Sequence, residues 1–179
     1  SAARNGAQVT IYEKMRQPGK KMLITGKGRC NITNVAAIPE LIKNIPGNGK
    51  FLHSCLKAYD NEDVQLFFQG LEVPTKVERG GRVFPVSDKA SDVVEAMVLK
   101  LHELGVELIT DVKVTGLLLE DGKAAGVATA DGNNYYGEAV IVATCGASYP
   151  GTGSTGDGFK LAAQAGHQVI KPLPALVPL

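Results

Sequence analysis

Apolar and polar residues alternate in several short stretches of the chain, which is the pattern of half-buried strands. In "QVTIYEK", Val9 and Ile11 alternate with polar residues and predict a strand that ends at Glu13. The stretches "VELIT" and "VKVTGLLLE" predict two further strands. Aspartate–glycine turns in "EDGK" and "DGNN" separate the apolar runs that follow, and this spacing predicts a small antiparallel β-meander at about 112–137.

Helical periodicity is clearest in "SDKASDVVEAMVLKLHELG". Its apolar residues from Val94 to Leu104 recur at steps of three and four, and Gly105 is expected to end the helix. Residues 35–70 predict a set of short helices, one of them with Asn61 as its N-cap. These helices form an insert between strands.

The run "AVIVAT" is apolar at consecutive positions, which predicts a strand buried on both faces of a parallel sheet. It leads into the glycine-rich "CGASYPGTGSTGDG" and then into a helix, "FKLAAQAG". An extended segment is predicted in "GGRVFPVS", where Pro85 favours an edge or a bend. Strands, glycine loops and helices therefore alternate around one antiparallel insert, which indicates an α/β fold with a mixed sheet.

Composition narrows the class of protein. The 179 residues are 44% hydrophobic and 21% charged, enough for one globular domain with its own core. The formal net charge of +1 gives no global field for nucleic acid or a membrane surface, so neither is expected as a partner. Three separated cysteines argue against a disulfide scaffold or a structural zinc site, so no metal is predicted and the cytoplasm is the expected location. No apolar run approaches the length of a membrane span.

Positive charge is concentrated in one loop, "PGKKMLITGKGRCNITN". Gly26 and Gly28 permit positive φ values and close backbone approach, so successive amides can point at an anion or at the edge of a ring. Arg29 adds a planar fork of donors, and Asn31 and Thr33 add neutral ones. This set suits a phosphate or the pyrimidine-like edge of a flavin. The loop lacks the P-loop spacing, and a solvated basic turn is the alternative.

Two acidic residues occupy positions that suit a nucleotide cofactor. Glu13 follows a strand, as does the acid that binds a ribose diol in nucleotide-binding α/β domains. A solvated carboxylate is the alternative. Asp157 lies in the late glycine loop, where it would bind a ribityl hydroxyl, cap the next helix, or do both. The small residues of that loop would allow a cofactor to lie across the ends of the sheet.

Three spaced segments, "VTIYEK…GKGRCNITN", "GGRVFPVSDKASDVVEAM" and "ATCGASYPGTGSTGDGFKLAAQAGH…PLPALVPL", together resemble the bacterial NAD(P)/FAD-dependent oxidoreductase flavoproteins. That family is related to the glutathione-reductase-like and fumarate-reductase-like flavoproteins and to enzymes proposed to reduce ring double bonds of bile-acid type. The resemblance runs along the whole chain. It implies an FAD-binding Rossmann-like domain that carries a small β-meander.

The resemblance also implies the residues that would bind FAD. Glu13 would hold the adenosine ribose, and backbone groups near Val112 and Val114 would meet adenine. The glycine loop would line the flavin and pyrophosphate, and the turn after "AVIVAT" would pass under the cofactor. The full set is Glu13, Lys14, Gly26, Gly28, Arg29, Cys30, Asn31, Thr33, Val112, Val114, Ala143, Thr144, Gly146 and Asp157.

The sequence departs from the family pattern in two respects. The usual "ATGG" is "ATCG" here, so Cys145 brings a thiol to a position where close backbone approach is expected. The family also begins with a strand and a GxGxxG turn and has a second domain, and neither is expected within these 179 residues. The sequence is therefore expected to be an interior part of a longer protein.

The implied activity is hydride transfer from NAD(P)H through FAD to an organic small molecule, such as one with an activated ring double bond. No catalytic acid or base can be named from spacing. Cys30 beside a flavin suggests redox chemistry, although a packed thiol is the alternative because no CxxC partner is present. Two other functional classes stay open at this point. One is a non-enzymatic nucleotide- or phosphate-binding module, and the other is an inactive truncated remnant.

Overall fold

The computed structural model describes residues 1–173, so the "PALVPL" part of the sequence resemblance lies outside the described residues. Six helices are present in that range: α1 (Lys20–Ile24), α2 (Ile38–Lys43), α3 (His53–Ala58), α4 (Asn61–Gln69), α5 (Ala90–Glu103) and α6 (Asp157–Gln164). The strands are β1 (Thr10–Tyr12), β2 (Thr33–Asn34), β3 (Thr75–Glu78), β4 (Arg82–Pro85), β5 (Glu107–Ile109), β6 (Val114–Glu120), β7 (Lys123–Thr129) and β8 (Asn134–Tyr136). Short 3₁₀ turns connect several of them.

The described chain divides into two compact units. The first unit comprises Ser1–Lys21 and Leu101–Leu173, and the second comprises Met22–Lys100. Both parallel and antiparallel strand pairs occur, in three separate sheets.

In the first unit, β1 pairs in parallel with β5, and β6, β7 and β8 form an antiparallel meander. The turn between β6 and β7 places Asp121 at φ 49° and Gly122 at φ 75°, the positive values that a two-residue hairpin turn requires. Leu117 and Val127 of the meander pack with Leu161 of α6 to form the core of this unit. The alternating apolar pattern thus formed the predicted hairpins because one face of the meander is covered by α6.

Helix α6 is fastened to the meander by an amide side chain. Gln164 Oε1 accepts a hydrogen bond from the backbone N–H of Leu117 at 2.8 Å, and Gln164 Nε2 donates to the carbonyl of Leu117 at 2.9 Å. The Gln164 side chain therefore satisfies the N–H and the carbonyl of Leu117, as a neighbouring strand would. These two hydrogen bonds fix where α6 lies along β6.

In the second unit, the sheet order is β2-β4-β3, and all pairs are antiparallel. The core contains Cys30, Phe68, Val73, Ala90 and Val93, with other apolar side chains packed around them. Helices α4 and α5 supply its central members, since Phe68 lies on α4 and both Ala90 and Val93 lie on α5. Of the apolar stripe predicted for α5, Val94 is buried and Met97 packs against this core.

Two local expectations were wrong or incomplete. Asp60, not Asn61, is the N-cap of α4, because its carboxylate accepts from the N–H groups of Glu62 and Asp63. Asn61 instead donates to the carbonyls of Asn34 and Ala36. Pro85 was expected at an edge or a bend, but it is the last residue of β4, the central strand of its sheet. Strand β2 pairs with Arg82 and Val83 of β4, so the missing N–H of Pro85 breaks no hydrogen bond to β2.

The predicted strand "AVIVAT" is absent from the described structure. Residues 139–144 belong to no strand and pair with none of the described ones, and Ile141 is 77% exposed. A strand is defined by hydrogen bonds to a neighbour, and a continuous apolar run cannot by itself supply that neighbour. The run is therefore irregular apolar chain in the first unit, mostly exposed, with Val140 packed against the Leu117 cluster.

Candidate functional site

The end of β1 fixes Glu13. Its backbone N–H donates to the carbonyl of Ile109 at 2.9 Å, and its carbonyl accepts from the N–H of Val112 at 3.1 Å. The carboxylate Oε1 accepts from the N–H of Met15 at 2.8 Å, which holds the side chain in the turn after the strand. The structure therefore brings two predicted positions, Glu13 and Val112, side by side. Val114 lies at the start of β6 and packs against the Leu117 cluster.

Lys14 reaches the late glycine loop. Its Nζ donates to Asp157 Oδ2 at 2.8 Å and to Thr155 Oγ1 at 2.6 Å. These two hydrogen bonds, first from Lys14 and then from Thr155, lower the pKa of Asp157 to about 2. Asp157 is thus a fixed carboxylate at ordinary pH. It begins α6 but does not cap it, since the N-cap is Gly156 at φ 75°, so the alternative interpretation as a cap was wrong.

A second lysine fastens the same loop. Lys21 Nζ donates to Ser148 Oγ at 2.8 Å, to the Ser148 carbonyl at 3.1 Å and to Ser154 Oγ at 3.2 Å. Ser154 is only 1% exposed, so its hydroxyl requires such a partner. No specific role was predicted for Lys21 from the sequence. Sequence reasoning missed this contact because Ser148 and Ser154 lie more than 120 residues away along the chain.

Glycines let the loop pack closely upon itself. The Gly156 N–H donates to the Gly146 carbonyl at 3.2 Å, and a Cβ at Gly158 would collide with Thr144 Oγ1. Ala143, Thr144 and Gly146 are exposed. The structure therefore places the predicted turn residues beside the first turn of α6, where they are exposed to solvent.

In the second unit, the predicted glycine bend is present. Gly26 has φ 56° and Gly28 has φ 85°, and Lys27 between them has φ 60°. A Cβ on Gly26 would lie 2.7 Å from the ring of Phe84 and 3.0 Å from the N–H nitrogen of Asn31. Glycine at this position is therefore required for packing as well as for conformation.

Arg29 is held within its own unit. Nη1 donates to Glu78 Oε1 at 2.9 Å and Oε2 at 3.1 Å, and to Asp88 Oδ1 at 3.4 Å. The guanidinium carbon lies 4.1 Å from the centre of the Phe84 ring, within the range of a cation–π contact. Lys76 also pairs with Asp88, and its hydrogen bond is the main reason that the pKa of Asp88 is lowered.

The remaining predicted residues of the bend differ in exposure. Asn31 is exposed, and Thr33 pairs with Val83 in the sheet. Cys30 has φ 63°, is 4% exposed and lies in the core, where burial raises the pKa of its thiol. A raised pKa disfavours the thiolate, so the structure agrees with the packed-thiol interpretation of this cysteine.

The described site residues thus form one set in each unit. The first unit brings together Glu13 with Val112, and Lys14 with Asp157, next to the turn at 143–146. The second unit brings Gly26 and Arg29 of the predicted bend against the Phe84 ring. Within residues 1–173, no helix is long and apolar enough to cross a bilayer.

Comparison with known proteins identifies relatives over nearly the whole chain. The 3-dehydro-bile acid delta(4,6)-reductase of Clostridium scindens is 37% identical over 174 residues, which is 97% of this chain and 41% of that protein. The ribosomal RNA dihydrouridine synthase of Haemophilus influenzae is 29% identical over 178 residues, which is 98% of this chain and 44% of that protein. The chain therefore spans about two fifths of the length of the curated relatives it matches.

Solved structures support the fold assignment. L-proline dehydrogenase from P. horikoshii superposes with a TM-score of 0.53 at 19% identity, covering 95% of this chain and 52% of that one. The predicted Rossmann-like α/β class is confirmed. The family model described as the HI0933-like protein Rossmann domain matches residues 1–173, and the chain belongs to that family, which confirms the resemblance read from its sequence.

Proposed function

We propose that this chain binds FAD as part of a flavin-dependent reductase. The membership in the HI0933-like family supports FAD as the cofactor. The observation that carries the proposal is the arrangement in the first unit, where an acid-ended strand, an exposed glycine turn and a fixed carboxylate at the start of α6 lie together. These are the groups that a ribose, a pyrophosphate and a ribityl chain require.

The donor set fits such a cofactor. Glu13 Oε1 is bonded to Met15, and in the described chain Oε2 accepts no hydrogen bond, so it is left for a ribose hydroxyl. The exposed turn with Ala143, Thr144 and Gly146 would carry the phosphates, because these small residues leave room beside the backbone. Asp157, ionised and fixed by Lys14, would accept from a hydroxyl of the ribityl chain.

The residues of the second unit enter the proposal through the sequence resemblance. Gly26, Gly28, Arg29, Cys30, Asn31 and Thr33 are proposed as flavin contacts, with Val112 and Val114 near adenine. The Gly26–Gly28 bend would offer backbone groups to the ring. Glu78 and Asp88 form ion pairs with Arg29 and balance its charge. Arg29 would therefore support the bend and adjust its charge, and would not bind a phosphate directly.

The names of the two relatives indicate a reaction class. A delta(4,6)-reductase of a 3-dehydro bile acid and a dihydrouridine synthase both saturate a ring double bond that is conjugated to a carbonyl group. FAD, when bound and reduced, would supply the hydride for such a reduction, and the second hydrogen would be added as a proton. We propose NAD(P)H as the source of that hydride and a small-molecule ring with a conjugated carbonyl as the acceptor.

A second acceptor class rests on the 29% identity to a ribosomal RNA dihydrouridine synthase. In that case the ring would be a uracil base within RNA. The absence of a strong net charge favours the small molecule, because nonspecific binding to RNA relies on positive charge.

Anaerobic reduction assays test the proposal. The intact protein, loaded with FAD, is mixed with NADH or NADPH and then with either a 3-oxo-Δ4 steroid or a uridine-containing RNA. We expect the flavin to be bleached by one nicotinamide and to regain its colour with the steroid, together with formation of the saturated product. Recovery with RNA alone would transfer the assignment to the uracil class. Bleaching by neither nicotinamide would contradict NAD(P)H as the donor, and recovery with neither acceptor would contradict the proposed reduction.

A further inference from the structure

Lys14 is the residue that joins the end of β1 to the loop before α6. Its ammonium group uses Asp157 and Thr155 as acceptors, and the side chains of Lys14 and Asp157 are only 23% and 20% exposed. Thr155 Oγ1 also donates to Asp157 Oδ2 at 2.7 Å, so the three side chains form a closed triangle of contacts. A triangle of this kind holds each member in one rotamer, unlike an isolated surface ion pair.

The stem of Lys14 is confined as well as its charge. A Cβ on Gly153 would lie 3.2 Å from Lys14 Cε and 3.1 Å from Met15 Cγ, so the backbone of the loop packs directly on these side chains. The preceding residue, Glu13, is fixed by backbone hydrogen bonds to Ile109 and Val112. The backbone before Lys14 is therefore fixed at the end of β1, and its ammonium group is held by Thr155 and Asp157.

The two carboxylate oxygens of Asp157 lie in different environments. Oδ2 accepts from both Lys14 and Thr155, whereas among residues 1–173 Oδ1 pairs with Lys160 alone, whose Nζ lies 3.7 Å away and whose side chain is 81% exposed. Lys14 thus orients the carboxylate so that Oδ1 is available to a ligand. The Lys14 ammonium itself points into the loop.

We propose that Lys14 is a positioning residue, which aligns Asp157 for FAD and does not contact FAD itself. This inference rests on the proposed function and adds to it, because the sequence resemblance placed Lys14 among the residues that touch the cofactor. The two roles make different predictions for a pair of substitutions.

A double-mutant cycle on FAD affinity separates these roles. The dissociation constant is measured by flavin fluorescence for the intact wild-type protein, Lys14→Met, Asp157→Asn and the double variant, and circular dichroism confirms that each is folded. We expect Lys14→Met to weaken FAD binding about tenfold in the wild-type background and to have almost no effect when Asp157 is already Asn. Lys14→Arg should restore part of the affinity, and Lys123→Met, which changes an exposed lysine at the start of β7, is the matched control with little effect.

Three outcomes would overturn the inference. An equal loss from Lys14→Met in both backgrounds would mean that Lys14 contacts FAD directly. An unchanged affinity in Lys14→Met would mean that Asp157 needs no alignment. A wild-type protein that binds no FAD would remove the proposed function together with this inference, whereas the first two results would leave FAD binding intact. Thermal unfolding of the four proteins without FAD gives the Lys14–Asp157 coupling in the absence of cofactor.

Discussion

At the scale of single residues, glycine and aspartate positions determine whether the loops can form. Gly26 combines a left-handed φ with close contacts to Phe84 and Asn31, while Gly28 has a left-handed φ but no heavy atom nearer than 3.9 Å to an added Cβ. A side chain at Gly28 would therefore suffer backbone strain alone, whereas one at Gly26 would suffer strain and steric overlap. The sequence "GKG" does not show this difference, because the overlap comes from Phe84, which is distant along the chain.

Substitution of Gly26 by alanine should destabilise the protein more than the same change at Gly28. We expect Gly28→Ala to cost about 1 kcal/mol from backbone strain alone, and Gly26→Ala to cost about 2 to 4 kcal/mol because the ring of Phe84 must also move. Urea unfolding of the two variants measures the difference. Equal losses would show that the Gly26 contact with Phe84 is unimportant.

The Asp157 carboxylate makes stability depend on pH. Its folded pKa of about 2 lies below the ordinary value of 3.8, so the stabilisation by Lys14 and Thr155 is present above about pH 4 and is lost as the pH falls towards 2. We expect wild type to exceed Asp157→Asn in unfolding free energy by about 1 kcal/mol at neutral pH. The gap, measured by urea unfolding at several pH values, should close in acid. A gap that stays constant down to pH 2 would contradict this account.

At the scale of elements, local sequence patterns predict turns and helices, whereas contacts between distant residues determine ion pairs and strand pairing. The hairpin turns at 121–122 and the helix over 90–103 follow from local signals and were predicted. The ion pairs of Arg29 join residues 49 and 59 positions apart, and no local pattern indicates them. The run at 139–144 failed as a strand because its apolar sequence specifies burial but not a partner.

Gln164 offers a test of how α6 is attached to the meander. Gln164→Ala removes two hydrogen bonds to the Leu117 backbone, and we expect a loss of about 1 to 2 kcal/mol in unfolding free energy with faster hydrogen exchange at the Leu117 amide. Gln69 is the matched control, since it is also an exposed residue at the end of a helix, but its side chain makes no hydrogen bond within residues 1–173. Comparable losses for Gln69→Ala and Gln164→Ala would assign the effect to helix ends in general.

At the scale of the whole molecule, the sequence was sufficient for the family and the fold class. The blocks around Arg29 and Asp157 carry a family-specific pattern, and the family model covers residues 1–173. The partners of Lys14 and Lys21 required coordinates, because each lysine bonds to a loop more than 120 residues away. The candidate site was therefore predictable as a set of residues but not as a set of contacts.

FAD binding is the central claim, and the visible absorption spectrum of the purified protein tests it most directly. The intact protein is incubated with excess FAD, freed of unbound cofactor by gel filtration, and scanned, and the released flavin is then identified by chromatography. We predict a flavin absorption band that corresponds to about one FAD per chain, with a dissociation constant of about 1 μM or tighter. A folded protein that remains colourless after this treatment would contradict the account.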